Sequence, residues 1–366
     1  MKICYLANTA IPSTNASAIQ IVKTCESFSK LQHEVFLITS RVSNKNIFNF
    51  YNVKSKFEYL RLKSFKEFPL GIKFYLFSIV SIFKSMSFKP DLYITRNFFT
   101  CFLLVLLKKK VIIEIHHDLD IESRVVKYLV KNIKYLNSKY ILKIIAISNF
   151  AKNSYIKNYS VDRKKFIVLP SGSSIIQNFK YPTAKQKYDI GYLGSLYKSR
   201  GLDLLINLAK IDKKNNYHLY GSLKNIENLN SKKNIKNLFI NNHIPYAKIP
   251  KVLSKMDFLL MPYTSNITAA GDVGDITNYT SPLKLFDYLS AGKIILCSDY
   301  KVIKEVINKN NAIFVKNFKN VYSWKNEIYK LCNQPQKQFI ISRNNYNLSK
   351  SYTLTERAKK ILKDVD

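Results

Sequence analysis

The feature that most constrains this chain is an alternation. Short runs rich in β-branched and aromatic residues are each followed by a segment of helical spacing. In the first half the runs fall at 3–7, 34–39, 57–62, 91–95, 111–115, 143–147 and 166–169, and the helical patterns at 18–31, 72–85, 101–107, 121–136 and 150–157. Strands joined by crossover helices lie parallel with helices on both faces, so the pattern predicts a doubly wound α/β sheet. A break at 171–182 precedes a second series of strands, at 189–193, 218–220, 239–240, 258–261, 294–297 and 312–315. Two Rossmann-like domains are expected, 1–178 and 179–348, followed by 349–366 with a helix near 355–362. Open sheets of this kind put a ligand cleft beyond the carboxyl ends of their strands.

With 366 residues, 47% hydrophobic and 23% charged, the chain can bury two ordinary cores. Its five cysteines (Cys4, Cys25, Cys101, Cys297, Cys332) are far apart, odd in number and mostly inside apolar runs. That usage suits a reducing compartment and offers no zinc spacing. The chain enters a strand directly, without a signal-peptide pattern, and its longest apolar runs, 74–83 and 98–107, fall short of the ~20 residues of a membrane span. A cytoplasmic location is therefore expected, peripheral on the inner face of a plasma membrane.

The formal net charge is +35, from 59 basic and 24 acidic residues, spread nearly evenly over both halves. Nucleic-acid modules concentrate charge on one face or tail, and no such motif occurs here. The excess points instead to attraction for anionic partners, a phospholipid surface among them. Eight of the nine glycines lie after position 170, which marks the second half as the place where backbone could be shaped around phosphates.

The densest chemistry lies in Ser281-Pro282-Leu283-Lys284-Leu285-Phe286-Asp287-Tyr288-Leu289-Ser290-Ala291-Gly292, followed by an apolar run to Asp299. Ser281 suits an N-cap, Pro282 the first helical position, and Gly292 a left-handed stop before a buried strand. Lys284 at a helix start makes an anion site, and Asp287 one turn on can hold sugar hydroxyls. A surface helix with a solvated Lys and Asp would read the same way. The stretch resembles the nucleotide-sugar signature of family 4 glycosyltransferases, and a weaker resemblance extends over nearly the whole chain. It implies the GT-B fold, with two Rossmann-like domains facing each other across a cleft and a last helix returning to the first domain. It also implies that Asp287 holds the donor ribose and the helix start, Ser281, Pro282 and Leu283 included, holds the diphosphate.

Other segments fit that resemblance to different degrees. The loop 8–17 has no G-x-G-x-x-G pattern, so a dinucleotide fingerprint is absent. Asn15 and Ser17 there are candidates for lining the cleft, with helix capping as the plainer role. Glu114-Ile115-His116-His117-Asp118 closes a predicted strand, and alternation sends Glu114 and His116 to one side. His116 reads either as a satisfied core histidine or, by resemblance, as a group against donor sugar and acceptor. Asp118-Leu119-Asp120 resembles a metal-binding D-x-D of another transferase fold but reads here as a loop and cap. No metal or other cofactor is expected. Residues 146–149 with 166–172 resemble the family's approach to the hinge between domains.

Gly194-Ser195 followed by Lys198-Ser199-Arg200-Gly201 ends one strand and opens a helix, a loop of amides and cations suited to a diphosphate. Against the family's usual Gly-Arg, Ser195 replaces the arginine, Arg200 takes the later lysine place, and Lys198 is the substitute cation. His243 and Ile244 resemble the loop facing the nucleobase, although Asn242 stands where Gly is usual. The family's two glutamates, eight positions apart, are here Tyr279 and Asp287, which leaves the donor sugar open. Residues 271–275 read as a donor-side loop.

The reading is a retaining glycosyltransferase, with His116, Glu114, Arg200 and Lys284 as candidate catalytic residues. Lys284, Arg200 and two helix starts would stabilise a leaving diphosphate. The resemblance implies a nucleoside-diphosphate sugar donor and a saccharide or lipid-linked acceptor in cell-surface polysaccharide synthesis, and 65–89, basic and aromatic, suits a membrane surface. The alternatives are a GT-B-like nucleotide-sugar epimerase or hydrolase and an electrostatic nucleic-acid binder.

Overall fold

The computed structural model describes residues 1–41, 43–63, 69–174, 179–222, 234–264, 266–268 and 275–365. Its contacts divide the chain into two compact units. One comprises Met1–Ser171, Asn278–Ser281 and Leu354–Asp366, and the other Gly172–Thr277 and Pro282–Thr353. The division after Ser171 falls ahead of the expected 178/179, and the four-residue excursion 278–281 into the first unit has no counterpart in the sequence reading.

Seven strands among the described residues form the parallel sheet of the first unit: β1 (Lys2–Ile11), β2 (Glu34–Arg41), β3 (Glu58–Leu62), β4 (Leu92–Thr95), β5 (Val111–Ile115), β6 (Ile141–Ala146) and β7 (Phe166–Val168). Their order is β3-β2-β1-β4-β5-β6-β7. Every residue of β4 and β5 is buried, as parallel strands covered on both faces require. The order reverses between β1 and β4, which opens a crevice beyond their carboxyl ends. The helix Leu354–Leu362 packs on the helix Ala16–Lys30 of this unit.

The expected helix at 121–136 is broken. A 3₁₀ turn Leu119–Ile121 gives way to a short helix Arg124–Tyr128, a π turn Leu129–Ile133 and a second 3₁₀ turn. Ser123 starts afresh by accepting from the Val126 N–H, and Lys134 takes a left-handed φ of 54°. The β-branched residues Val125, Val126, Val130 and Ile133 weaken a continuous helix there.

The second unit repeats the plan with β8 (Asp189–Leu193), β9 (Asn216–Tyr220), β10 (Leu238–Asn241), β11 (Phe258–Met261), β12 (Ile294–Ser298) and β13 (Ala312–Val315). All pairs are parallel, in the order β10-β9-β8-β11-β12-β13, with the reversal between β8 and β11. Two helices that the sequence reading did not name, Val321–Cys332 and Pro335–Ser349, follow β13.

The helix after β11 runs Leu283–Ser290 and starts one residue later than expected, with Pro282 at the cap position and no side chain capping it. Ser281 is not that cap. Its hydroxyl accepts from the Ser171 N–H at 2.8 Å, inside the first unit. The glycine stop is present: Lys293 N–H reaches Tyr288 O at 3.2 Å and Gly292 N–H reaches Leu289 O at 2.9 Å, the paired bonds of a Schellman end. The expected donor-side loop 271–275 lies outside the described residues except for Asp275, and the basic stretch 65–89 is described only from residue 69.

The helix Leu202–Ile211 starts at Gly201, which holds φ +81°. A Cβ there would stand 1.9 Å from Pro262 O, just past β11. Both the left-handed backbone and the close approach demand glycine. Gly201→Ala is expected to cost at least ~2 kcal/mol, read as a lower urea midpoint with an unchanged slope.

Candidate active-site residues

The end of β8, at the β8/β11 reversal, brings together two of the second unit's cations, Lys284 and Arg200. β8 ends in Leu193, whose N–H donates to the Tyr288 hydroxyl at 3.0 Å, and the chain turns at Gly194 with φ +145°. A Cβ on Gly194 would lie 2.7 Å from Lys284 Nζ, so the lysine packs directly on this turn. Its ammonium sits 4.0 Å from the centre of the Tyr192 ring and 5.8 Å from that of Tyr263. Arg200 approaches the same Tyr263 ring at 5.5 Å and donates to Thr268 O.

Lys284 as a residue is only half-buried, yet its Nζ is closed off from solvent and has no hydrogen-bond partner among the described residues. Ring faces offset part of the lost hydration, but not what a carboxylate or phosphate would supply. Burial, and after it the Arg200 guanidinium, pull the ammonium well below the usual lysine range. Arg200 Nε is likewise buried and unpartnered. Two basic side chains with donors to spare thus lie beside an uncapped helix start, a setting whose chemistry suits an anion.

One turn on from Lys284, Asp287 is buried. Its Oδ1 accepts from Ser173 Oγ at 2.6 Å and, at longer range, from the Tyr246 hydroxyl at 3.4 Å. Burial pushes its carboxyl up to about 7, against the lowering effect of the two hydroxyls. Ser195 is exposed, and its carbonyl accepts from Tyr192. Lys198 is also exposed and lines a surface depression of about 390 Å³ with Asp203, Asn207 and Lys319. His243 is exposed and Ile244 half-buried, on the segment that follows β10.

The first unit carries a separate cluster around the end of β5. Glu114 is buried. Its Oε1 receives the Arg357 guanidinium at 2.5 Å, and its Oε2 receives Arg96 Nε at 3.1 Å and the Tyr5 hydroxyl at 3.3 Å. Burial works to raise its carboxyl, but Arg357 and Arg96 together hold it well below the usual range. His116 Nε2 is 3.1 Å from Glu114 Oε1, off the direction of a good hydrogen bond, and is shut off from solvent although the residue as a whole is only half-buried. Burial, then Arg96, bring the imidazole down to about 4, with Glu114 opposing them. At neutral pH His116 is an uncharged imidazole held beside a carboxylate.

Asp118 caps the turn Leu119–Ile121 and accepts from Ser154 Oγ at 2.8 Å, the Tyr279 hydroxyl at 2.6 Å and the Tyr159 hydroxyl. No group of three or more His, Cys, Asp or Glu side chains suited to a metal ion occurs among the described residues. Asn15 is the cap residue of the helix Ala16–Lys30 through its backbone, without a side-chain bond, and both Asn15 and Ser17 are exposed.

The structure thus joins Gly194, Arg200 and Lys284 in one cluster and Glu114 with His116 in another. It adds Tyr192, Tyr263, Ser173, Tyr246, Arg96 and Arg357. Arg96 stands directly after β4 at the strand-order reversal, a position the alternation alone could have flagged. Arg357 carries no such signal.

Two parallel, doubly wound units with this chemistry at a strand-order reversal define a GT-B glycosyltransferase fold, and solved structures agree. The chain superposes on a glycosyltransferase from Rickettsia africae (13% identity, TM-score 0.70, 99% of each chain covered). It also superposes on Anabaena HepE in complex with UDP (12%, 0.72, 100% of this chain and 99% of that one). The lipopolysaccharide glycosyltransferase WaaG matches at 14% and 0.65 over 99% and 100%. No curated protein sequence matches the chain. Residues 18–174 match the family described as Glycosyltransferase Family 4, and residues 174–348 the family described as Glycosyl transferases group 1. The chain belongs to this glycosyltransferase family and is an enzyme of that class.

Asp287 titrates at about 7 in the folded protein against 3.8 as an ordinary aspartate. A raised folded value contributes stability below the unfolded pKa and loses it as pH climbs through the folded one, here between about 4 and 7. Asp287→Asn keeps an oxygen for Ser173 and removes the buried charge. At pH 8 it is expected to raise Tm by roughly 2–4 °C for each kcal/mol relieved, and at pH 4 to leave it unchanged, by differential scanning calorimetry.

Proposed function

We propose that the protein is a retaining glycosyltransferase that takes a sugar from a nucleoside-diphosphate donor and delivers it to a saccharide or lipid-linked acceptor in cell-surface polysaccharide synthesis. The observation that carries the donor half is the buried, unpartnered Lys284 ammonium against Gly194, with Arg200 on the same aromatic ring. As the anomeric C–O bond breaks, negative charge grows on the departing diphosphate, and preorganised donors gain most at that moment. Anabaena HepE is solved with UDP-glucose, which makes UDP-sugars the first donors to try. Asp287, beside Ser173 and Tyr246, is the group for the ribose hydroxyls.

Retention of configuration fits the state of the carboxylates in the first unit. Glu114 is committed to two guanidiniums and Asp118 to three hydroxyls, so neither stands as a nucleophile of the glycosidase kind. Attack on the face the diphosphate leaves, which the family resemblance implies, needs none. His116, uncharged at neutral pH, serves as a hydrogen-bonding group to the sugar and not as a proton donor.

Titration calorimetry of UDP-, GDP- and CMP-sugars in buffers of different ionisation heat tests the donor site. Burial disfavours the lysine's charged form and a diphosphate favours it, so binding is expected to be accompanied by net proton uptake. Lys284→Ala is expected to abolish that uptake. Lys284→Ala and Arg200→Ala are each expected to lower kcat/KM by roughly ten- to a thousandfold, and non-additively in the double variant. Wild-type transfer by both single variants would refute the assignment. Free sugar released without an acceptor would favour the hydrolytic epimerase.

The membrane half of the proposal rests on the helix Leu70–Ser85 and the 3₁₀ turn Met86–Phe88. Ile72, Ile79, Phe83 and Met86 are exposed and fall on one stripe at helical spacing. The neighbouring helix Phe98–Leu106 ends in exposed Leu106 and Leu107, followed by Lys108, Lys109 and Lys110, also exposed. Apolar side chains interleaved with lysines suit an anionic bilayer surface. No helix among the described residues is long and apolar enough to cross a membrane. Flotation with anionic liposomes is expected to carry the protein, with release at high salt, and Phe83→Glu with Ile79→Glu to abolish capture. Equal capture by neutral liposomes would remove the electrostatic part.

A further inference from the structure

A carboxylate in the middle of a parallel sheet is costly unless its lone pairs and its charge are both met. Glu114 sits there, and the groups that meet it come from four elements: Tyr5 on β1, Arg96 after β4, His116 after β5, and Arg357 on the helix Leu354–Leu362. One negative charge faces two guanidiniums, so the cluster is positive beside the His116 ring. The arginines are not equivalent. Arg96 takes Oε2 and the Tyr5 hydroxyl, whereas Arg357 takes Oε1, the oxygen that His116 Nε2 also faces. Arg357 is fixed further by donating from Nε to Pro170 O at 2.8 Å and from Nη2 to Leu169 O at 3.3 Å, past the end of β7. Its side chain is buried.

We infer that Arg357 is a positioning residue for His116, holding in place the Glu114 Oε1 that the imidazole Nε2 faces. The inference rests on the reading of His116 as a group that meets the sugar. A purely structural role would have Arg357 only neutralise Glu114 and fasten the helix, with no consequence for His116.

The discriminating readout is the NMR titration of His116 in the full-length protein, assigned by the signal lost in His116→Asn. Removing one of the two guanidiniums leaves Glu114 to act on the ring with less opposition. Arg357→Met is therefore expected to move the His116 midpoint up, toward the ordinary 6.5, while Arg357→Lys, which keeps the charge, holds it near that of the wild type. Because direction is lost with the guanidinium fork, kcat is expected to fall by up to ~100-fold in Arg357→Met with donor KM little changed. The acid limb of the kcat profile should follow the His116 midpoint. A folded Arg357→Met with a wild-type His116 midpoint overturns the inference, as does one with wild-type kcat. Should Arg357→Met not fold, Arg357→Gln, which keeps donors for the Leu169 and Pro170 carbonyls without the charge, takes its place, and a wild-type His116 midpoint or wild-type kcat in that protein overturns it equally. The titration needs no substrate, so a protein that transfers no sugar would refute the functional reading and leave this test standing.

Discussion

A buried ammonium without a counter-ion is a burden to any fold, and the second unit is arranged around one. Desolvating Lys284 opposes its charge, and Arg200 near the same ring opposes it further. What compensates is local: the ring faces of Tyr192 and Tyr263, a Gly194 turn that brings backbone against the side chain, and an uncapped helix start. Each of these also suits a polyanion. The arrangement costs stability locally, a pattern expected where function and folding make opposite demands. Asp287 shows the same conflict with the other sign, as a carboxylate held where its charge is unwelcome.

The first unit solves its electrostatics differently. Glu114 is saturated by guanidiniums and Asp118 by hydroxyls, so neither is left with an unmet demand. Tyr279, standing where the family resemblance places a glutamate, points its hydroxyl at Asp118 and packs edge-on to Phe150 within the first unit. Its side chain is thereby committed to local structure. In this chain the position therefore does not supply the carboxylate that the resemblance associates with donor-sugar hydroxyls.

Much of the fold was legible because parallel strands announce themselves locally. Runs such as Val111–Ile115 and Ile294–Ser298 are apolar on both faces and short, and each proved a strand. The cations were legible for a similar reason, since a lysine or arginine at a helix start after a strand is a local pattern. Their partners were not. Tyr192, Tyr263 and Ser173 look like ordinary core or loop residues until the strand order brings them together. The helix Pro335–Ser349 escaped notice because it buries Gln338, Ser342 and Asn345, polar groups bonded to Leu331 O, Gly292 O and Lys293 O. Hydrophobic spacing cannot reveal a helix on whose buried face Ile341 stands among three polar side chains. The broken helix at 124–137 was misjudged because its apolar spacing is helical while its β-branched residues and the Ser123 cap are not.

The placement of Arg357 has a consequence for the order in which the protein comes into being. Translation delivers β1 to β7 first, and the whole second unit before the helix Leu354–Leu362. Until that helix emerges, Glu114 has Arg96 as its sole guanidinium, and the Leu169 and Pro170 carbonyls lack the donor they meet in the finished molecule. The unit that is synthesised earliest is thus the one completed latest. Before that, its buried carboxylate is short of one partner, while the later unit already holds all of its own sequence.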